Sequence, residues 1–202
     1  MRKDALFFGV AGVFFGLLTG WIIGSHHDRA PSPSTQAVEA PPAAVAQQKA
    51  PPLDEKRAAE LKAAAERSAA DADTRVQLAN LYFDSERYNE AAQWYEQALK
   101  IDPRNANAST DLGIVYYYTN QPDRAIAQFE KSLAVDPGHS KTLLNLGIVK
   151  AFGKQDLEGA SKAWQRVVEI APNTPEGQAA KKMLDGLRSA HPGGGSTGST
   201  GS

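Results

Sequence analysis

A repeat with a period of 34 residues occupies the second half of the chain. Asp102-Pro103 and Asp136-Pro137 lie 34 residues apart, and Ala171-Pro172 follows at 35. Between these stops one pattern returns. Leu78, Ala79, Tyr82, Ala91, Tyr95, Ala98 and Pro103 are spaced like Leu112, Gly113, Tyr116, Ala125, Phe129, Ser132 and Pro137. Leu146, Gly147, Lys150, Ala160, Trp164, Val167 and Pro172 form a third set, with one extra residue near Phe152-Gly153-Lys154-Gln155. A fixed period of this size means stacked units, each too small to bury its apolar face alone. The small residues let two antiparallel helices approach closely. The large ring (Tyr95, Phe129, Trp164) fills the gap towards the neighbouring hairpin, and proline stops the second helix.

This pattern resembles the tetratricopeptide repeat (TPR). The resemblance covers about 72–172 as three units, 72–105, 106–139 and 140–173, and implies an all-α solenoid of helical hairpins. Two departures stand out: Lys150 where an aromatic is usual, and the inserted residue in the third unit's turn. Both ends need closing. Segment 53–71 reads as a capping helix or half repeat with Asp54 as N-cap, since Leu61 and Ala64 fall 34 residues before Tyr95 and Ala98. Segment 174–189, opened by Thr174-Pro175, reads as a second cap with Ala179, Met183, Leu184 and Leu187 as its apolar stripe. The Gly/Ser-rich tail 190–202 is low-complexity, and nothing is drawn from it.

The N-terminal part is of another kind. Residues 5–24 carry no charge, and as a helix they would measure about 30 Å, the thickness of a bilayer's hydrocarbon core. A secretory signal peptide has a shorter apolar region followed by an A-x-A-like site; none stands here, so an uncleaved anchor is expected. Arg2 and Lys3 before it place residues 1–4 in the cytoplasm and the rest across the membrane. Gly12, Gly16, Gly20 and Gly24 recur every fourth residue, a stripe against which a second helix, from a copy of this chain or another protein, could pack. Glycine is also simply common in membrane helices. Residues 25–52, with six prolines among Ala, Gln and Ser, cannot bury a core. As a polyproline-like tether they reach at most about 85 Å. Adjacent His26 and His27 are too few to ligate a metal.

Composition excludes more than it selects. With 22 Lys+Arg against 23 Asp+Glu the formal charge is −1, so no nucleic-acid partner is expected. Cysteine is absent, which removes thiol catalysis, zinc fingers and iron–sulfur ligation. No GxSxG, Walker, HExxH or calcium-loop spacing occurs. The expectation is a chain without catalytic residues, metal or cofactor.

What remains is binding. In the resembled repeat the first helices line a concave groove. The groove-facing positions fall on Asp73, Val76, Asn80, Phe83 and Asp84, then Asn107, Thr110, Ile114, Tyr117 and Tyr118, then Lys141, Leu144, Ile148, Ala151 and Phe152. From these the expected peptide-binding set is Asn80, Phe83, Ile114, Tyr117, Tyr118, Lys141, Ile148 and Phe152. Any one of the rings could instead pack against a capping helix or a neighbouring hairpin. Some TPR proteins hold a peptide's terminal carboxylate with a Lys/Asn/Asn/Lys/Arg set. This chain keeps Asn80 and Lys141 but has Val76, Asp111 and Asn145 at the other positions. Asp111 would repel a carboxylate, so that clamp is rejected. The resulting expectation is a scaffold anchored in a bacterial inner membrane, its repeats in the periplasm, that binds protein or peptide segments to help assemble an envelope complex. Alternatives are an accessory factor of cytochrome c maturation, whose anchored TPR proteins look similar around Ala160 to Trp164, and a regulatory subunit that contacts an enzyme through the glycine stripe.

Overall fold

A computed structural model describes residues 50–190. The apolar run 5–24 with Gly12, Gly16, Gly20 and Gly24, the tether up to residue 49 and the tail from residue 191 lie outside the described residues. Eight α-helices follow one another: α1 Glu55–Arg67, α2 Ala72–Asp84, α3 Tyr88–Ile101, α4 Ala106–Tyr118, α5 Pro122–Val135, α6 Ser140–Ile148, α7 Leu157–Ile170 and α8 Pro175–Ala190, with a π-helical turn Val149–Gly153 continuing α6. The described residues are therefore an all-α solenoid of hairpins. None of these helices is long and apolar enough to cross a membrane.

Side chains close the orphan amides at most helix starts. Asp54 accepts from the Arg57 amide at 2.9 Å, Asp71 from Thr74 at 2.9 Å, Asn105 from Ala108 at 2.9 Å, Asp156 from Gly159 at 2.8 Å and Thr174 from Gly177 at 3.2 Å. The carbonyls at the end of α1 are served from the next helix. Arg75, buried, donates to Ser68 O (3.0 Å), Asp71 O (2.6 Å) and Ala65 O (2.9 Å), which pins α1 onto α2.

The small residues of the repeat are where helices touch. A Cβ on Gly113 would stand 2.5 Å from Phe129 Cε1, and one on Gly147 2.6 Å from Trp164 Cδ1. Both rings are buried, and the Trp164 indole N–H donates to Leu144 O at 3.1 Å. One continuous apolar cluster runs through Tyr95, Leu112, Val115, Phe129 and Val149. A second joins Leu143, Trp164 and Val167 to Ala180 and Leu184 of α8, and a third seats Ala58 and Leu61 of α1 on Leu78.

The inserted residue is absorbed inside the helix and leaves the turn unchanged. Each hairpin turn places one residue in the left-handed region: Glu86 (φ 58°), Asn120 (58°) and Gln155 (57°). The amide after it returns to a helical carbonyl, Arg87 to Tyr82 (2.9 Å), Gln121 to Tyr116 (2.8 Å) and Asp156 to Lys150 (2.8 Å). The third return spans one residue more, and the π turn holds it. Lys150, in place of an aromatic, sets its ammonium 3.5 Å from Asp156 Oδ2.

Candidate functional site

The first helices of successive units, α2, α4 and α6, stand side by side. Contacts across the row show it: Phe83 meets Tyr118, Asp111 meets Lys141, and Thr110 meets Thr142. The C-terminal ends of α2 and α4 gather four rings. Phe83 packs edge-on to Tyr88 (centroids 5.6 Å) and to Tyr118 (5.9 Å), and Tyr117 lies tilted to Tyr118 at 6.4 Å. Tyr88 and Tyr118 stack at 4.8 Å with their planes 4° apart. Sequence reasoning had looked along the first helices only and missed Tyr88, which opens the second helix α3. Its place just beyond the left-handed turn residue Glu86 was the available signal, because that turn folds it back over the end of α2.

Burial separates these rings. Phe83, Tyr88 and Tyr117 are half-buried against the core, whereas Tyr118 is 43 % and Phe152, on the π turn, 49 % exposed. Tyr117 also packs beside Gly153, where an added Cβ would lie 3.2 Å from its Cε2. Ile114 and Ile148 are partly buried and lean on the two main apolar clusters. Asn80 is exposed, and its side-chain oxygen accepts from the Tyr95 hydroxyl, leaving the amide nitrogen to donate outward.

Two polar positions behave differently from a reading by spacing. Thr110, expected to face the groove, is fully buried. Its hydroxyl lies 2.5 Å from Thr142 Oγ1 and 3.0 Å from Ser132 Oγ and donates to Ala106 O at 2.7 Å, because the third unit rotates over it. His139 extends that junction, with Nδ1 2.6 Å from Thr142 Oγ1 and Nε2 3.0 Å from Asn107 Oδ1. Lys141 is on the row, but its ammonium sits 2.6 Å from Asp111 Oδ1. It is a neutralised cation.

The hydroxyls feel this packing. Burial pushes Tyr88 up to about 12, with Tyr118 and Glu86 adding to it. Burial also raises Tyr118, again with help from Glu86, and raises Tyr95, with Asp111 and Asp84 contributing. Among the described residues no three His, Asp or Glu side chains are grouped to hold a metal ion.

A family profile described as TPR repeat matches residues 79–120, and one described as tetratricopeptide repeat matches residues 110–176. The hairpins within residues 79–176 are tetratricopeptide repeats. The first TPR of Spaghetti (RPAP3) bound to the HSP90 peptide SRMEEVD is 26 % identical, with a TM-score of 0.55 over 61 % of this chain and 94 % of that one. The first TPR domain of human RPAP3 is 25 % identical, with a TM-score of 0.54 over 62 % of this chain and 99 % of that one. The Yersinia enterocolitica type III secretion chaperone SycD, in complex with a peptide of the translocator YopD, aligns at 19 % identity and TM-score 0.56 over 62 % of this chain and 98 % of that one, a likeness of fold alone. The comparison with curated proteins gave no match. The TPR fold makes an interaction scaffold or peptide binder the coarse reading of this chain.

Proposed function

We propose that the chain is a membrane-anchored scaffold whose row of first helices holds a protein or peptide segment and helps to assemble an envelope complex. The apolar run 5–24 sets location, residues 25–52 set reach, and the TPR row sets the choice of segment. The observation that carries the binding part is the aromatic surface at the ends of α2 and α4 and on the π turn, where Phe152 is exposed. Exposed rings on rigid helices offer large contact area at low entropic loss. The HSP90 peptide held by Spaghetti is acidic, and Asp111 against Lys141 argues that the segment taken here is of another class.

The test is purification of the full chain from membranes beside a Tyr118→Ser, Phe152→Ser double variant, with co-purifying proteins identified by mass spectrometry. Phe152 is exposed and Tyr118 stacks on Tyr88, so the helix content of the variant is first compared with the parent chain by circular dichroism, and a partner lost from a folded variant assigns capture to this surface. Equal retention by a folded variant would sink the groove reading. The stripe Gly12, Gly16, Gly20 and Gly24 supports a second reading, a regulatory subunit paired with an enzyme through a membrane helix. Association lost on replacing Gly16 and Gly20 by Leu, but kept in the double variant above, would favour it. Placement in the periplasm is checked by attaching a reporter active only there to either end of the chain.

A further inference from the structure

The junction between the second and third units is polar where its counterparts are apolar. Thr110, Ser132 and Thr142 meet there, all fully buried. The same positions hold Val76, Ala98 and Ala108 one unit earlier, and Leu144, Val167 and Gly177 one unit later. Stacking of units therefore does not call for these hydroxyls. The residue ahead of the junction also departs from its counterparts. Asn105 and Thr174 open α4 and α8 by accepting from the amides of Ala108 and Gly177. His139, at the same place before α6, makes no such cap and sets Nδ1 2.6 Å from the Thr142 hydroxyl instead.

The proton count at this junction depends on the ring. A carbonyl only accepts, so Thr110 and Ser132 each spend their one proton on Ala106 O, at 2.7 and 2.9 Å. Thr142 Oγ1 stands 2.5 Å from Thr110 Oγ1 and 2.6 Å from His139 Nδ1, with a single proton for both contacts. Asn107 Oδ1, 3.0 Å from Nε2, also only accepts, so Nε2 carries a hydrogen. A neutral ring then leaves Nδ1 bare. Thr142 serves either Nδ1 or Thr110, and the other contact is a pair of facing lone pairs. An imidazolium supplies the missing proton: Nδ1–H donates to Thr142, Thr142 to Thr110, and Thr110 to Ala106 O. Every one of these contacts is then a hydrogen bond, and the first is charge-assisted.

The surrounding charges do not oppose an imidazolium. They are Asp136 on its own turn, Asp102 and Arg104 on the turn before α4, and Glu130 and Lys131 near the end of α5. Asp111 of α4 and Lys141 of α6 neutralise each other at 2.6 Å. The N-terminus of α6 disfavours a cation, but by less than an unmade hydrogen bond costs in a buried chain.

We infer that His139 is a pH-operated latch between the second and third units. Charged, it clamps α6 onto α4; neutral, it leaves one link open and lets the third unit turn. These helices carry Ile114 and Ile148 of the proposed groove, so the latch sets the spacing of its two sides. The inference stands on the junction alone, whether or not the row holds a segment. Stabilisation of this sign is whole on the acid side of the imidazole range and is lost as pH rises through it.

The experiment is amide hydrogen exchange of the full chain in detergent at about pH 5.5 and about pH 8, each rate divided by that of the unfolded chain at the same pH. Protection of α6 and α7 relative to α2 and α3 should rise about tenfold on the acid side. His139→Asn places before α6 the residue type that caps α4, so this variant should fold and lose the rise. Thr142→Val removes the relaying hydroxyl and should lose it too. No rise in the parent chain overturns the latch and means that the Asn107 amide turns to serve a neutral ring. Greater protection on the alkaline side overturns its sign. A rise kept in folded His139→Asn belongs to another group and also overturns it.

Discussion

Gly147 faces an indole that cannot move. Trp164 is buried and tied to Leu144 O by its N–H at 3.1 Å. An added methyl at Gly147 therefore meets a rigid ring with no solvent to retreat into. Gly147→Ala gains about 1 kcal/mol of helix propensity but forces overpacking of the opposite sign, so the variant should be destabilised by about 2 kcal/mol net. Urea unfolding followed by Trp fluorescence checks it; equal or greater stability would mean that α6 and α7 can move apart without loss. The tyrosines make a second residue-scale prediction. Tyr88 is pushed to about 12 by burial, then by Tyr118 and Glu86. Tyr116 is pushed to about 12 by burial, then by its bond to Glu96. Both values exceed the ordinary phenol value of 10.0, so folding favours the protonated ring. That stabilisation is whole below about pH 10 and is lost as pH rises through about 12. Denaturation midpoints at stepped alkaline pH should fall across this window, in step with tyrosinate absorbance. Tyrosinate signal complete near pH 10 without loss of stability would contradict it.

At the scale of elements, the helices that close the array have unequal holds. The terminal helix α8 seats Ala180 and Leu184 in the apolar cluster around Trp164 and Val167. Leu184→Ala should therefore remove about 3 kcal/mol, measured as a lower thermal midpoint, with the third unit loosening first. If the midpoint is unchanged, α8 is an appendage. Its apolar stripe was read from spacing as Ala179, Met183, Leu184 and Leu187. In the fold Met183, Leu184 and Leu187 pack on that cluster as read, but Ala180 is buried where Ala179 is only partly so, and Gly177 is buried against Ala171 O. The π turn shows the same division. The extra residue of the third unit was visible in the 35-residue spacing. That it would widen α6, and not lengthen the turn, was settled by the conserved geometry around Gln155, whose left-handed conformation matches Glu86 and Asn120.

For the whole molecule, stability should follow nearest neighbours. The second unit is covered on both sides. Tyr95 and Ala79 pack on it from one side, and Leu146 and Val149 from the other, while the hydroxyls of Thr110, Ser132 and Thr142 lock it to the third unit. Helix α1 buries only Ala58, Leu61 and Ala65. Native-state hydrogen exchange should thus be slowest in α4 and α5 and fastest in α1 and in the last turn of α8. A uniform rate along the array would show all-or-none unfolding instead of stacked units.

The sequence by itself determined the repeat and the hairpins, because these depend on spacing within one unit, where helix period and turn length leave little freedom; the rings of Phe129 and Trp164, expected to reach towards the neighbouring hairpin, sit on Gly113 and Gly147 of their own. Only the tertiary structure decided what lies between units. It buried Thr110, bound Lys141 to Asp111, stacked Tyr88 on Tyr118 and left Phe152 exposed. Each of these depends on the rotation from one hairpin to the next, a sum of many side-chain contacts that no single spacing encodes.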